Sequence, residues 1–291
     1  MNKSKPAVAI LLAAYNGVKW IEQQILSILS QDNVCCDIYI SVDLSSDNTY
    51  NFLSEVFKDN IRINLLSYGE RFGGAGRNFY RLIKDVDFNK YDYIALSDQD
   101  DIWLPNKLGK AILCMQKNDC AAYSSNVLAF WDNGCQKLIR KSYTQKKYDH
   151  FFEAAGPGCT YVFKEQPFSK FKKFLTENWD YAINIKLHDW LIYAYFKENH
   201  YKWIISDDYD MLYRQHSNNQ VGVNVGVHAY RKRVTQIINK SYKGEVNKIV
   251  NLLNSEKFNF NKKFLIINFF QLRRRFRDAV VLLFFILLGF L

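Results

Sequence analysis

The sequence predicts an α/β protein whose mostly parallel central sheet is covered by helices on both faces. Three observations predict this class. Apolar runs of strand length alternate with segments of helical periodicity, polar turns follow the runs, and no linker rich in proline, serine or glycine divides the chain. The predicted strands of the first part cover residues 8–14, 38–42, 61–66 and 91–96, and the predicted helices cover 20–29, 50–57, a segment opening at 73–76 and one after Pro105.

The second part of the chain has a more mixed pattern. Strands are predicted at residues 122–130, 160–163, 203–205 and 211–213, a helix at 187–196, and a basic helical region after residue 226. We therefore expect one domain over residues 1–225, with halves 1–120 and 121–225, followed by a helical tail over 226–291. No internal repeat is present.

Composition narrows the classes of partner. The 291 residues are 48% hydrophobic and 16% aromatic, which excludes a disordered chain. A net charge of +10 favours anionic partners such as nucleotides, nucleic acid or an acidic membrane surface. No nucleic-acid module pattern occurs, so nucleic acid is not an expected partner. Six cysteines without a Cys-x-x-Cys pair, and no evident signal peptide, fit a reduced cytosolic setting.

An acidic run closes one predicted strand. Asp98 and Asp100 follow the apolar residues 93–96, and alternation along a strand directs residues i and i+2 to the same side. Paired carboxylates at a strand end suit Mg²⁺ or Mn²⁺ carrying a phosphate-bearing substrate. The alternative is a polar turn after a buried strand. Tyr15 and Asp43 also fall just past strand ends, where α/β sheets bind ligands.

The glycine-rich segment Gly73-Gly74-Ala75-Gly76 has neither Gly-x-Gly-x-x-Gly spacing nor the Gly-Lys-Ser/Thr ending of a P-loop. We interpret it as a flexible turn beside the site, with backbone N–H groups that face phosphate.

Five segments together resemble one enzyme family. They are Ala13-Ala14-Tyr15-Asn16-Gly17, residues 41–49 around Asp43, Ser97-Asp98-Gln99-Asp100-Asp101, Leu187-His188-Asp189-Trp190, and Tyr213-Arg214-Gln215-His216 with Asn219 and Gly222. In order and spacing they resemble the family 2 glycosyltransferases, which have the GT-A fold. Gly158-Cys159-Thr160 matches the small-residue turn between the family's two halves. The resemblance covers residues 8–222.

The resemblance implies a role for each matching residue. Ala13 and Tyr15 would contact the donor, with Tyr15 on the pyrimidine and Asp43 accepting its ring N–H. Asp98 would contact the ribose or the metal, and Asp100 would bind the metal. His216 would be a further metal or diphosphate contact, and Arg77 would add positive charge at the phosphates. Asp189 would be the catalytic base and Trp190 would line the acceptor pocket. Val42 and Leu44 depart from the family's usual Asp and Gly, and Leu44 tolerates a positive φ poorly.

The C-terminal tail is apolar and basic. Residues 279–291 would span about 20 Å as a helix, short of the roughly 30 Å hydrocarbon core. The block Arg273-Arg274-Arg275-Phe276-Arg277 separates them from a second apolar run at 264–270. We expect the arginines to lie at lipid headgroups with the apolar segments dipped into the membrane. The alternative is a helix packed on the body of the protein or on a partner.

The expected function is that of an inverting, metal-dependent glycosyltransferase. It would use Mg²⁺ or Mn²⁺ and move a sugar from a nucleoside diphosphate donor to a lipid-linked glycan acceptor. The motif combination most resembles bacterial surface-polysaccharide transferases, rhamnosyltransferases among them, which implies the cytoplasmic face of the inner membrane and peripheral or monotopic attachment. Two alternatives are a sugar nucleotidyltransferase and a membrane-bound scaffold that binds nucleotide sugar without catalysis.

Overall fold

The computed structural model describes residues 4–216, 241–253 and 261–291. Within them, nine strands form one sheet. The strands are β1 (Ala7–Ala14), β2 (Cys35–Val42), β3 (Ile63–Leu65), β4 (Tyr93–Ser97), β5 (Ile102–Trp103), β6 (Ala122–Phe130), β7 (Gln136–Ile139), β8 (Val162–Lys164) and β9 (Trp203–Arg214). The motif residues Asn219 and Gly222, and the start of the basic region predicted after residue 226, lie outside the described residues.

The sheet has the order β3-β2-β1-β4-β8-β6-β9-β5. Strands β3, β2, β1 and β4 are parallel to one another. In the second half β8 runs antiparallel to both β4 and β6, β9 is parallel to β6, and β5 and β7 pair antiparallel with β9 and β6. The α/β class with a mostly parallel sheet is confirmed, and antiparallel pairings extend it on one side.

Strand β9 differs most from its prediction. The two short strands expected at 203–205 and 211–213 are one twelve-residue strand. Its register against β6 shifts next to Asn126, whose side-chain amide donates to the Asp207 carbonyl at 2.7 Å. The polar residues between the two apolar stretches therefore belong to an irregular part of the strand, which a search for apolar runs misses.

Helices cover both faces of the sheet, as predicted. They are α1 (Ile21–Leu29), α2 (Thr49–Val56), α3 (Ala75–Asp85), α4 (Lys107–Asn118), α5 (Glu165–Glu177), α6 (Trp179–Ala182), α7 (His188–Glu198), α8 (Ser241–Leu252), α9 (Lys262–Ile267) and α10 (Phe276–Leu287). Strand β1 serves both faces because its side chains alternate. Ile10 and its same-side neighbours pack with α1, α2 and α4, whereas Leu11 packs with α3, α5 and α7.

The C-terminal segment packs on the body of the protein. Four residues of this segment are buried in the same core as α3, α5 and α7. They are Ile249 of α8, Leu265 of α9, Leu272 before α10, and Ile286 of α10. This part of the tail therefore follows the alternative that the sequence left open. Among the described residues, no helix is long and apolar enough to cross a membrane.

Two of the arginines expected at lipid headgroups are instead directed inward. The Arg274 guanidinium lies 3.4 Å from an Asp149 carboxylate oxygen and 3.3 Å from one of Glu153. Arg273 donates to the Phe152 carbonyl. The reason is electrostatic: Asp149 is completely buried and requires positive charge beside it. The headgroup expectation is wrong for Arg273 and Arg274.

The outer side of α10 is apolar and exposed. We call Phe276, Val280, Phe284, Leu287 and Leu288 the α10 apolar face; each is more than two-fifths exposed. Their spacing of three and four residues places them along one side of the helix. The other described residues leave this apolar surface exposed, and contiguous apolar patches are typical of interaction sites.

Arg274→Met should destabilise the protein. Burial alone would raise the pKa of Asp149. The combined effect of His150, Arg274 and Lys197 is larger and opposite, so the pKa of Asp149 lies below its usual value. Removing Arg274 leaves a buried carboxylate short of positive charge, which should cost about 3 kcal/mol or more of unfolding free energy at neutral pH. Urea unfolding measures this loss.

The matched control is Arg277→Met, because Arg277 is exposed in the same segment. It should change stability by less than about 0.5 kcal/mol. Because the pKa of Asp149 is lowered on folding, its stabilisation is present at neutral pH and disappears as pH falls through the folded-state pKa. Equal unfolding midpoints for the two variants would refute the role of Arg274.

Candidate active site

Three parallel strands end side by side at one edge of the sheet. Ala14 of β1 lies opposite Val42 of β2, and Leu12 of β1 lies opposite Ser97 of β4. The residues that follow, including Tyr15, Asp43 and Asp98, therefore meet at this edge, as the sequence predicts. Ala13 is buried just before it.

Gln99 fixes the turn that presents Tyr15. The Tyr15 N–H donates to Gln99 Oε1 at 2.8 Å, and Gln99 Nε2 donates to the Tyr15 carbonyl at 2.7 Å. Gly17 leaves room for this amide, since a Cβ there would lie 2.0 Å from Gln99 Oε1. The Tyr15 side chain is 46% exposed, so it is not a core residue.

The glycine-rich turn wraps around Asp43. Backbone N–H groups of Leu44 and Phe72 both donate to Asp43 Oδ1 at 2.8 Å, and that of Gly73 donates to Oδ2 at 2.9 Å. The N–H of Gly73 therefore faces a carboxylate, contrary to the expectation that it faces phosphate. Two carboxylate oxygens accept about four hydrogen bonds, so one position remains on Oδ2.

Leu44 keeps an ordinary backbone. Among the described non-glycine residues, positive φ occurs at Asn16, Asn33, Asp119 and His200, and Leu44 is not one of them. The departure from glycine therefore introduces no left-handed strain at this turn, and Asp43 keeps its carboxylate at the site.

The end of β9 closes over the acidic turn. Arg214 Nε donates to the Asp100 carbonyl at 2.8 Å, and the Arg214 N–H donates to Asp101 Oδ1 at 3.1 Å. His216 Nε2 lies 2.7 Å from Asp100 Oδ2, and its ring stacks on Trp20 with centroids 4.0 Å apart. The two motifs, 113 residues or more apart in the chain, thus form one structure.

Negative charge accumulates at this turn. Burial, and then the charges of Asp100 and Asp189, raise the pKa of Asp98 to about 7. Ligand atoms of Asp98, Asp101 and Cys159 lie within 4.8 Å of one another. Asp101 Oδ2 is buried without a hydrogen-bond partner. Carboxylates in excess, with one orphaned oxygen, fit a hard divalent cation at this turn.

Sequence reasoning missed Asp101 and Cys159. Asp101 belongs to the acidic run, and Cys159 to the small-residue turn at 158–160, but the sequence gives neither a role at the site. Buried Lys107 lies near enough to both residues for their charges to act on one another.

Asp189 lies in the first turn of α7, across from Asp98. Its Oδ1 accepts the Trp190 N–H at 2.8 Å. Burial raises the pKa of Asp189 to about 6, against the lowering effects of that N–H and of Lys141. Because its charge also raises the pKa of Asp98, the two carboxylates are within electrostatic reach.

Two glycines hold the segment that carries Asp189. A Cβ on Gly76 would lie 2.2 Å from the Lys186 carbonyl oxygen, and one on Gly158 would lie 3.3 Å from the Asp189 Cβ. His188, which sequence reasoning did not assign, stacks on Phe79 at 4.0 Å, and burial lowers its pKa to about 3. The His188 imidazole is therefore neutral at neutral pH, and it adjoins the Asp189 carboxylate in the chain.

Trp190 and Arg77 are placed differently from their assigned roles. Trp190 is buried; its Nε1 donates to the His150 carbonyl at 2.8 Å and its ring stacks on Tyr242. This placement favours fixing α7 behind Asp189, and contact with an acceptor stays a prediction. Arg77 is exposed, and its Nε donates to the Ile183 carbonyl at 3.1 Å. Its contact with phosphate stays a prediction.

Comparison with known proteins agrees with this architecture. The model of the family Glycosyl transferase family 2 matches residues 9–179. A dTDP-rhamnosyl transferase, RfbG, of Shigella flexneri is 46% identical over 96% of this chain and 99% of its own length. A UDP-Glc:alpha-D-GlcNAc-diphosphoundecaprenol beta-1,3-glucosyltransferase, WfgD, of Escherichia coli is 31% identical over 53% of this chain and 58% of its own length.

Solved structures share the fold at low identity. The mannosyltransferase PcManGT of Pyrobaculum calidifontis, in complex with GDP-Man and Mn²⁺, matches with a TM-score of 0.56 at 14% identity over 85% of this chain and 70% of its own. S. aureus TarS 1-349 with UDP-GlcNAc matches with a TM-score of 0.52 at 14% identity over 84% and 72%. The chain therefore belongs to glycosyl transferase family 2 and is a glycosyltransferase of the GT-A fold.

Proposed function

We propose that this glycosyltransferase moves rhamnose from dTDP-rhamnose to a hydroxyl of a lipid-linked glycan, with inversion and with Mg²⁺ or Mn²⁺. The donor is inferred from the dTDP-rhamnosyl transferase that is 46% identical over nearly the whole chain. The lipid-linked acceptor is inferred from the relative whose name includes diphosphoundecaprenol. We infer that the transfer serves the assembly of a bacterial surface polysaccharide.

The electrostatic coupling of Asp98 and Asp189 carries this proposal. An inverting transfer needs a general base on the side of the anomeric carbon opposite the leaving diphosphate. Asp98 belongs to the strand edge that would receive the donor, and Asp189, in the first turn of α7, would supply the base from a separate element. A pKa of about 6 keeps Asp189 ionised, and basic enough to accept a proton, at neutral pH.

The donor would occupy the edge formed by β1, β2 and β4. The half-exposed ring of Tyr15 would pack on the pyrimidine, and the remaining acceptor position of Asp43 would take its ring N–H. Asp98 and Asp100 would hold the divalent ion, with His216 fixing the Asp100 carboxylate by its 2.7 Å contact. When bound, such an ion neutralises the charge that develops on the departing diphosphate.

The acceptor hydroxyl would lie against Asp189, which removes its proton as the new glycosidic bond forms. Gly76 and Gly158 keep the backbone of this segment close to the donor side, so the base cannot retreat without moving α3 or the turn at 158. The scaffold alternative loses its support, because the turn at Leu44 is unstrained and Asp43 is retained. A nucleotidyltransferase is excluded by the family assignment.

Asp100→Asn should lower metal-dependent release of nucleoside diphosphate from the donor. Loss of one charged ligand removes several kcal/mol of transition-state stabilisation, which corresponds to about 100-fold or more in rate. Release from dTDP-rhamnose with Mg²⁺ or Mn²⁺ measures it. Asp207→Asn is the control, because Asp207 is exposed and pairs with Arg140 at the surface. Full activity of the wild type in EDTA would contradict the metal requirement.

Asp189→Asn should abolish transfer while leaving donor binding intact. Removing a general base lowers kcat by about 100- to 10 000-fold. In the wild type, kcat/KM should fall as pH drops below about 6, because protonated Asp189 cannot accept a proton. Donor binding is followed by calorimetry. More than a tenth of wild-type transfer in Asp189→Asn would eliminate this residue as the base.

The α10 apolar face should attach the protein to membranes at the cytoplasmic surface. Exposed aromatic and aliphatic side chains beside Arg275 and Arg277 suit an interfacial helix on anionic lipid. The triple variant Phe276→Ser, Phe284→Ser, Leu287→Ser should shift the protein from anionic vesicles to the supernatant in a sedimentation assay. Deletion of residues 264–291 should do the same, but it also removes Arg274 from Asp149.

The matched control is Leu26→Ser, Ile61→Ser, Leu113→Ser, which removes exposed apolar side chains elsewhere. It should sediment like the wild type. If both triple variants bind vesicles equally, α10 is not the attachment surface.

A further inference from the structure

A strongly basic segment packs near the start of α7 and against the C-terminal segment. Residues 137–147 contain five cationic side chains and no acidic one. They include the end of β7 (Gln136–Ile139) and precede a 3₁₀ turn at Asp149–Phe151. We call residues 137–147 the basic segment. The proposed donor site does not use it.

Lys141 of the basic segment packs on the turn that also approaches Asp189. The Lys141 N–H donates to Asn126 Oδ1 at 2.6 Å, which fixes the backbone against β6. A Cβ on Gly156 would lie 3.6 Å from Lys141 Cβ and Cγ, so the side chain packs on the turn that continues to Gly158. The charge of Lys141 acts directly on Asp189.

The other end lies beside the helix with the exposed apolar face. The Tyr148 N–H donates to the Gln271 carbonyl at 3.0 Å, and the Lys147 N–H donates to the Gln271 side chain at 3.3 Å. Two guanidinium groups lie near the Tyr143 ring: that of Arg140 is 5.2 Å from the ring centroid and that of Arg275 is 5.9 Å from it. Arg275 is the residue immediately before α10.

Cationic side chains cluster where the basic segment meets the C-terminal segment. Arg140 and Arg275 both lie within 6 Å of the Tyr143 ring, and Lys141 follows Arg140 in the chain. Asp207 lies 3.5 Å from Arg140, but both side chains are more than half exposed, and exposed pairs of this kind contribute little and are screened by salt. The cluster adjoins α10, because Arg275 directly precedes that helix.

We propose that Lys141, Arg140 and Arg275 bind the diphosphate of the acceptor. The proposed base Asp189, the three cations and the α10 apolar face follow one another along the protein. A sugar linked through diphosphate to a lipid chain has its reacting hydroxyl, its phosphates and its apolar chain in the same order. The proposal rests on the proposed function, and it adds the class of acceptor: a short glycan, whose diphosphate lies close to the hydroxyl that reacts.

Guanidinium and ammonium groups suit this ligand chemically. Arginine offers a planar pair of N–H donors to phosphate oxygens, and lysine adds a compact charge. The lipid chain would continue along the α10 apolar face, whose first residue, Phe276, follows Arg275 directly. The site would therefore hold the diphosphate at the depth of the membrane surface.

A binding experiment on the full chain tests the proposal without knowledge of the acceptor sugar. The probe is farnesyl diphosphate, with farnesol as its uncharged counterpart, in the presence of Mg²⁺ and saturating dTDP or UDP to fill the donor site. Lys141→Gln and Arg275→Gln should each weaken farnesyl diphosphate binding about tenfold or more and leave farnesol binding unchanged. Calorimetry measures both, and Lys141→Arg should restore binding.

The matched control is Lys137→Gln in the same segment, which should not change the affinity. Equal affinity of the wild type for farnesol and farnesyl diphosphate would overturn the proposal, as would unchanged affinity in both variants. If Lys141→Gln weakens binding to anionic vesicles as much as binding to the probe, the segment recognises lipid headgroups instead, which also overturns it.

Failure of the proposed function gives a different result. If no dTDP-rhamnose is hydrolysed but farnesyl diphosphate binding depends on Lys141 and Arg275, the donor assignment is wrong and the diphosphate site remains. If hydrolysis occurs and the probe does not discriminate the variants, the glycosyltransferase assignment remains and this site is refuted.

Discussion

Repulsion among carboxylates is the constraint around which the site is organised. The parallel register of β1, β2 and β4 brings Asp43 and the acidic turn to one edge, and α7 adds Asp189 from across the site. Such a concentration of negative charge is unfavourable unless it is offset. The fold offsets it with backbone N–H groups at Asp43, with Arg214 and His216 on the outer side, and with Lys107 on the inner side.

These groups compensate the negative charge only in part, and the uncompensated charge lies at Asp98 and Asp101. Asp98 retains a strongly raised pKa, and Asp101 has an oxygen with no partner. A cation that arrives together with a diphosphate would supply charge to the carboxylates and would itself be neutralised by the phosphates. Binding of donor and ion would then be mutually dependent, since each removes an unfavourable charge from the other.

Much of this arrangement was predictable from the sequence. Apolar runs predict β1, β2 and β4. Because parallel strands end at a common edge, the sequence alone also groups Tyr15, Asp43 and Asp98. The pair Asp100 and His216 came from the family resemblance. Local patterns could not predict the burial of Asp101 beside Cys159, because that depends on how β8 and β9 pack against the acidic turn.

The tail shows a second limit of sequence reasoning. A run of four arginines in five residues appeared unsuited to a core, yet Arg273 and Arg274 are directed inward while Arg277 is exposed. The partner that draws Arg274 inward, Asp149, is 125 residues away in the chain and gives no local signal. Likewise Trp190 belongs to an aromatic motif, but its direction is set by the His150 carbonyl and Tyr242.

The close approach of Gly76 and Gly158 to the segment before and at Asp189 has a consequence for engineering. A side chain at position 76 would collide with the Lys186 backbone, and one at position 158 would collide with the His188 side chain, so libraries that aim to change acceptor choice should leave both glycines fixed. Diversity is better placed at positions that border the site without contacting this segment.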